Sequence, residues 1–250
     1  YLHNKNISNI DISKPCEGNP GIGGTEFMFV SIPYYYKKII NDDVEFVFFS
    51  SESSKLDKKF KAFDVTSCND AYAKSIESKC DIFIWRPVDD EENCKLIDKL
   101  DDFDMPVIAW VHNTLPIEML NALSGKRSLK RYVTVSQEQL DILRHHPIIK
   151  KCCVINNGFD INTMMVRAYA DKDLNMVVYT GSLIRAKGFG LLARAWKTIL
   201  EESPTAQLYV IGGGNLYDRS CKLGEWGVAD EEFESTDIRP YLSGENGKPH

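Results

Sequence analysis

The feature that most constrains the fold is a strand–loop–helix–strand pattern in residues 176–214. An apolar, valine-rich run at residues 176–179 predicts a buried strand, and from residue 189 apolar side chains recur at helical spacing. A serine–proline pair ends that helix, because proline disfavours helical geometry in the residue before it. Residues 207–211 predict a second strand, closed by three glycines. Two strands joined through a helix run parallel, so the pattern predicts an α/β fold with a parallel sheet.

Both loops of this βαβ unit have features that suit a phosphate group. The loop after the first strand carries Arg185 and Lys187 directly ahead of the helix, whose start offers free N–H groups and a positive dipole end. Gly212 and Gly213, after the second strand, let backbone approach a ligand closely. Open α/β sheets bind ligands at these carboxyl ends of their strands. The residues alone leave an alternative open, in which the cations solvate a loop and the glycines turn the chain.

Two further features lie nearer the N-terminus. Gly23 and Gly24 precede an apolar and aromatic stretch, residues 27–40, which predicts a helix that Pro33 should kink or split. His112 follows an apolar strand pattern, and its near-neutral pKa suits hydrogen bonding or proton transfer. Simple turn formation by the glycines and a structural role for the histidine are the alternatives that these residues leave open.

Composition disfavours several classes of protein. The 250 residues carry a net charge of −6, whereas a general nucleic-acid-binding protein would be basic, so we expect no nucleic-acid partner. No apolar run approaches the roughly 20 residues of a membrane span. The seven cysteines are odd in number and form no CxxC pair, which argues against zinc and against a disulfide framework. We therefore expect a cytoplasmic protein with no metal and no cofactor.

Shorter patterns fill the rest of the chain. The apolar runs predict strands at residues 44–49, 81–85, 107–111, 132–135 and 152–155, and helices at residues 69–78, 116–123 and 137–145. Ser136 and Gln139 form a capping-box pattern ahead of the last of these helices. Residues 50–64 are expected to be a loop or an exposed helix, and after residue 214 the periodic pattern fades into a polar, acidic stretch at residues 215–241.

Four segments resemble retaining glycosyltransferases of family 4, which have the two-domain GT-B fold. GSLIRAKGFGLLARAW is similar to the family's Gly-Arg…Lys-Gly segment: Lys187 and the glycine after it match, whereas Ser182 stands where the family usually has arginine. GIGGTE, which contains Gly23 and Gly24, is similar to the glycine loop after the family's first strand. VHN, at His112, and VINNGFD are similar to two further segments in the same order.

The resemblance implies a fold, an activity and a set of site residues. The fold would be GT-B-like, with a Rossmann-like N-terminal domain at residues 1–165 and the first part of a second Rossmann-like domain at residues 166–250. The activity would be transfer of a sugar, with retention, from a nucleotide-diphosphate-sugar to an acceptor hydroxyl. The implied roles are donor diphosphate binding by Gly23, Gly24, Arg185 and Lys187, nucleotide binding by Gly212 and Gly213, and catalysis by His112.

The resemblance also implies partners and leaves alternatives. The donor would be a UDP-, GDP- or dTDP-sugar, and the acceptor a glycan or a lipid-linked molecule in polysaccharide biosynthesis. A basic cluster of Lys126, Arg127, Lys130 and Arg131 suits peripheral contact with the anionic inner face of a membrane or with a lipid-linked acceptor, and a solvated loop is the alternative that these charges leave open. The family's Glu-x7-Glu motif is absent, so we expect a chain truncated within its second domain, and this fragment is expected to lack full activity. A sugar-nucleotide epimerase and an inactive binding module remain alternatives.

Overall fold

The computed structural model describes residues 1–40, 43–161, 172–216 and 218–244. The chain divides into two compact units, Tyr1–Thr163 and Met164–His250. The predicted domain boundary, between residues 165 and 166, lies outside the described residues.

The first unit alternates strands and helices. Its helices are α1 (Gly24–Ile39), α2 (Cys68–Glu77), α3 (Glu91–Lys99), α4 (Ile117–Gly125) and α5 (Gln137–Ile142). Its strands are β1 (Val47–Ser50), β2 (Lys61–Asp64), β3 (Phe83–Trp85), β4 (Val107–Val111), β5 (Leu129–Thr134) and β6 (Cys152–Val154). Short 3₁₀ turns lie at Lys5–Ile7, Pro15–Glu17 and Pro147–Lys151.

The strands of the first unit are parallel and form two hydrogen-bonded groups. Strand β1 pairs with β2, and β3, β4, β5 and β6 pair with one another in sequence order. The first residues of the chain bridge these groups. The Leu2 amide donates to the Phe49 carbonyl at 2.9 Å, and the Tyr1 amino group donates to the Ile84 carbonyl at 2.6 Å. The strand order therefore reverses between residues 1–3 and β3, and such a reversal is the topological switch point of a doubly wound sheet.

Apolar side chains cover both faces of this sheet. On one face, α2, α3 and α4 enclose a core that includes Trp85, Leu96 and Leu123, all fully buried. On the other face α1 packs through Phe29, whose ring lies 4.8 Å from that of Trp110. Helices on both faces and buried parallel strands are typical of Rossmann-like α/β architecture.

The second unit is built on the predicted βαβ pattern. Strand β7 (Met176–Thr180) is followed by a 3₁₀ turn (Arg185–Lys187), helix α6 (Phe189–Glu202) and strand β8 (Gln207–Ile211), and the two strands are parallel. Three short helical pieces follow: α7 (Glu231–Phe233), a π-helix (Glu234–Ile238) and α8 (Arg239–Leu242). They pack on α6 through Phe233, Ile238 and Leu242, which bury against Trp196.

The sequence predictions of an α/β class, of parallel sheets and of the βαβ unit are confirmed. Helix α6 ends at Glu202, directly before the serine–proline pair that was predicted to stop it, and strand β8 spans the predicted residues 207–211. The Ser136 hydroxyl accepts from the Gln139 amide at 3.2 Å, as a capping residue should, while the Gln139 side chain accepts from the Val135 amide instead of the Ser136 amide.

The structure differs from the sequence pattern at four places. Helix α1 runs through Pro33 without being split, because burial of its apolar face against the core offsets the roughly 3 kcal/mol that an interior proline costs. Residues 50–64 contain strand β2, which is too short and too charged to show a strand period. Residues 215–241 contain the three helical pieces. Strand β7 is not buried on both faces, since Met176 and Val178 are 43% and 49% exposed.

Candidate functional site

A cavity of about 170 Å³ opens at the switch point of the first unit. It is lined by residues 1–3 and by the segments that follow β2 and β3, at the carboxyl ends of strands where open parallel sheets hold ligands. The side chains that matter for its chemistry are those of His3, Thr25, Glu26, Ser67, Arg86 and Asn93. At roughly 30 Å³ for each water, this volume is that of about six waters, which suits one small polar group of a larger ligand.

Three helices begin at this cavity, and they differ in how their first amides are satisfied. The Ser67 hydroxyl caps α2 by accepting from the Asp70 amide at 3.2 Å, and the Asp90 carboxylate caps α3 by accepting from the Asn93 amide at 2.7 Å. Helix α1 begins after Gly23, which has no side chain to act as a cap. A Cβ atom at Gly24 would meet nothing within 4 Å. The start of α1 is therefore the open one of the three.

The carboxylate of Glu26 lies over this open helix start. A Cβ atom at Gly23 would be only 2.2 Å from Glu26 Oε2, so the carboxylate rests against the glycine α-carbon. Its other oxygen, Oε1, lies 3.6 Å from the guanidinium of Arg86. A negative group is stabilised at a helix N-terminus by the helix dipole. The position predicted for a ligand's phosphate is thus held by a carboxylate of the chain itself.

His112 follows β4 and has a pKa lowered mainly by burial. The Arg86 guanidinium also lowers this pKa, while the side chains of Asn157 and Glu26 raise it. Both ring nitrogens are buried, and among the described residues neither forms a well-aligned hydrogen bond, while the His112 backbone carbonyl accepts from Gln139 Nε2 at 2.8 Å. A neutral imidazole has one donor and one acceptor, so this buried ring retains unused hydrogen-bonding capacity.

Sequence reasoning missed Arg86 and Asn157, which both act on His112. Arg86 directly follows strand β3, so the rule that placed His112 at a carboxyl end could have found it. Asn157 lies in a turn signal after β6, and nothing in that pattern points to a site.

In the second unit, the turn between β7 and α6 places its two cations in different surroundings. The Arg185 guanidinium pairs with the carboxylates of Asp237 and, at 3.2 Å, of Glu232, and it lies 5.3 Å from the centre of the Phe233 ring. The Lys187 side chain is exposed and forms no ion pair with any residue that the structure describes. Lys187 is therefore the cation of this turn that is free to meet an anion.

Ser182 stands at the position where the resembling family usually has arginine. It is buried, and its hydroxyl donates to the Gly213 carbonyl at 3.1 Å. A second bond, from the Leu183 amide to the same carbonyl at 3.2 Å, joins the loops after β7 and β8. The position is thus used to hold the two loops together.

The glycines after β8 have structural reasons of their own. A Cβ atom at Gly212 would lie 1.9 Å from the Gly181 carbonyl oxygen, and the φ of Gly212 is +147°, which disfavours other residues. Gly213 is different, since its nearest neighbour, Asn215 Oδ1, lies 3.6 Å from the Cβ position. Close contact between the two strand ends therefore accounts for Gly212, while Gly213 leaves room beside the backbone.

Gly23, Gly24 and His112 belong to the first unit, and Arg185, Lys187, Gly212 and Gly213 to the second. The structure brings His112 near Glu26 and Arg86 in the first unit, and it joins the β7 and β8 loops in the second. Within residues 1–40, 43–161, 172–216 and 218–244, no cluster of three or more potential ligands could hold a metal ion. In the same part of the chain, no helix has the length and apolar character needed to cross a bilayer.

No protein-family model and no curated protein matches this chain significantly.

Proposed function

We propose that the chain is a glycosyltransferase with a GT-B-like fold, which moves a sugar from a nucleotide-diphosphate-sugar to an acceptor hydroxyl with retention. The proposal puts it in polysaccharide or glycan biosynthesis. The observation that supports it most is the position of Lys187, which follows the carboxyl end of a parallel strand and lies next to the start of α6. Its side chain is exposed and has no ion partner among the described residues.

The reaction places its largest electrostatic demand on the leaving diphosphate. Negative charge grows on that group as the bond to the sugar breaks, and fixed positive groups stabilise it without reorganisation. The Lys187 ammonium and the first amides of α6 supply this charge in the second unit. Gly188, in the left-handed region at φ +76°, starts the helix without a side chain over those amides.

In the first unit, the proposal assigns the acceptor side of the reaction to His112 and to the cavity at the switch point, both of which involve Glu26 and Arg86. A neutral imidazole donates or accepts a hydrogen bond to a sugar hydroxyl at pH 7, because burial disfavours its charged form. Glu26 and Arg86 give the cavity both acceptors and donors. A mixed polar lining of this kind suits the hydroxyl groups of a glycan or of a lipid-linked acceptor.

Titration calorimetry of the full chain with UDP, GDP and dTDP tests the proposal, and Lys187→Ala is the decisive variant. A hydrogen bond to a charged group contributes about 1.5–3 kcal/mol, so this change should weaken the preferred nucleotide about ten- to hundredfold. Lys197→Ala removes the same charge from an exposed position on α6 and should leave affinity within about twofold. Equal affinity of the Lys187→Ala variant and the unaltered chain would overturn the phosphate assignment.

A thermal-shift panel with the corresponding sugar nucleotides gives an independent reading. A ligand at 100 times its dissociation constant stabilises the native state by about 2.7 kcal/mol, which should raise Tm measurably. Transfer of the sugar to water or to a simple glycoside, followed by anomer analysis, then separates an enzyme from a module that only binds. Binding without turnover would support the recognition module over the transferase.

A further inference from the structure

The ion-pair network around Asp237 joins three elements of the second unit. Asp237 lies on the π-helix, and its carboxylate pairs with Arg185, in the turn after β7, and with Arg194, on α6. It also accepts a hydrogen bond from the Thr236 hydroxyl at 2.8 Å. The Asp237 side chain is only 8% exposed, so it is nearly enclosed by these partners.

The backbone is shaped to bring Asp237 close. A Cβ atom at Gly190 would lie 3.2 Å from Asp237 Cβ and 3.1 Å from the Phe233 ring, so the glycine allows the π-helix to approach α6. The π-helix is anchored a second time by Glu234, which is fully buried and accepts from the amides of Trp226 and Val228 at 2.6 and 3.0 Å.

The segment that Glu234 holds also contacts the loop after β8. The Val228 carbonyl accepts from the Gly214 amide at 2.8 Å, directly beyond the glycines that follow β8. The two carboxylates of the π-helix therefore fix both loops at the carboxyl ends of the strands, Asp237 through Arg185 and Glu234 through residues 226–229.

We propose that Asp237 is a positioning residue that fixes the Lys187 turn by neutralising and holding Arg185 and Arg194. This inference rests on the proposed role of Lys187 in binding a diphosphate. In this proposal Arg185 holds the turn in place through its ion pairs, and Lys187, two residues further along, provides the unpaired positive charge that meets the ligand. Hydrogen bonding from Thr236 and the charges of Arg194 and Arg185 lower the pKa of Asp237, so the pairs persist at neutral pH.

Inorganic pyrophosphate is the probe for the test, measured by titration calorimetry on the full chain. Asp237→Asn keeps the size of the side chain but removes its charge, and we expect about fivefold weaker pyrophosphate binding at a temperature where the variant is folded. Asp237→Glu should recover part of the loss. Glu231→Gln is the matched control, because it removes a carboxylate from the same segment that pairs, among the residues described, with Lys222 alone.

The double variant Arg185→Gln/Asp237→Asn sharpens the test. If the two residues act through one network, the double variant should bind within twofold of Asp237→Asn alone. Tighter binding by Asp237→Asn would overturn the proposal, because it would show Arg185 released to act as a ligand. Unchanged binding by Asp237→Asn would overturn it as well.

A ligand-free measurement separates this inference from the proposed function. Faster hydrogen exchange at residues 183–190 in Asp237→Asn, and not in Glu231→Gln, would support the positioning role even if the unaltered chain bound no pyrophosphate. That absence of binding would overturn the proposed function instead. Unchanged exchange at residues 183–190 would overturn the positioning role whatever the chain binds.

Discussion

Replacement of Glu26 by glutamine should increase the affinity of the first unit for anions. The Glu26 carboxylate rests against Gly23 at the open start of α1, where the helix dipole attracts negative charge. An anionic ligand approaching Gly23 and Gly24 must compete with it. Glu26→Gln keeps the shape of the side chain and removes the competing charge.

The magnitude follows from two effects of the same sign. A charge at a helix N-terminus contributes about 0.3–1 kcal/mol, and losing the competitor returns that amount to the ligand. Arg86, 3.6 Å from Glu26, also loses its partner and becomes available. Both side chains of that pair are more than a fifth exposed, so its loss should reduce stability by less than about 1 kcal/mol. The expected gain in anion affinity is about two- to fivefold.

Calorimetric titration of pyrophosphate and of UDP into the full chain carrying Lys187→Ala, which removes the contact proposed for the second unit, measures this gain at about 0.15 M salt. Glu118→Gln is the control, since Glu118 is an exposed carboxylate in the first turn of α4 and the change in net charge is the same. Weaker binding by Glu26→Gln would refute the reasoning and make Glu26 a direct ligand contact. An equal gain in anion affinity for Glu118→Gln would show that the change in net charge alone explains the effect.

Two further predictions concern stability. The pKa of His112 is lower in the folded chain than its ordinary value of 6.5, so the unfolded chain binds the proton more readily. Acidification from about pH 7.5 to about 5.5 should therefore lower Tm more in the unaltered chain than in His112→Gln. Equal losses of Tm in the two proteins would contradict the burial argument. Gly212→Ala places a methyl 1.9 Å from the Gly181 carbonyl oxygen and should cost more than the roughly 1–3 kcal/mol of backbone strain alone, measured by denaturant unfolding. Gly213→Ala meets only Asn215 at 3.6 Å and should change stability by less than about 1 kcal/mol, and a loss as large as that of Gly212→Ala would show that the clash is not the cause.

What the sequence could predict is local, and what it could not predict joins residues far apart. Strand β7, helix α6 and strand β8 follow from apolar spacing within 36 residues, and Lys187 follows from its place before a helix. The partner of Arg185 is 52 residues further along the chain, in a stretch whose polar composition hides a π-helix. No spacing rule links those residues, because the contact depends on how closely Gly190 lets the π-helix approach.

The same limit applies in the first unit. Residues Gly23 and Gly24 could be placed at a helix start, yet the sequence does not say that Glu26 folds back over that start. A carboxylate in the first turn has several rotamers, and its pairing with Arg86, 60 positions away, selects among them. The exposure of Met176 and Val178 was missed for a related reason: apolar runs predict burial only when another element covers both faces.

The charge balance at the two sheet edges decides which unit should carry most of a diphosphate's binding energy. In the first unit Arg86 is paired with Glu26, and the cavity is also lined by Asp90 and Glu92, so an added anion meets more carboxylates than cationic side chains. In the second unit the acids are already paired with Arg185 and Arg194, which leaves Lys187 unopposed among the described residues. Attraction at a partly exposed site depends on unpaired charge more than on the number of cations. We therefore expect the second unit to bind the diphosphate and the mixed polar cavity of the first unit to take hydroxyl groups.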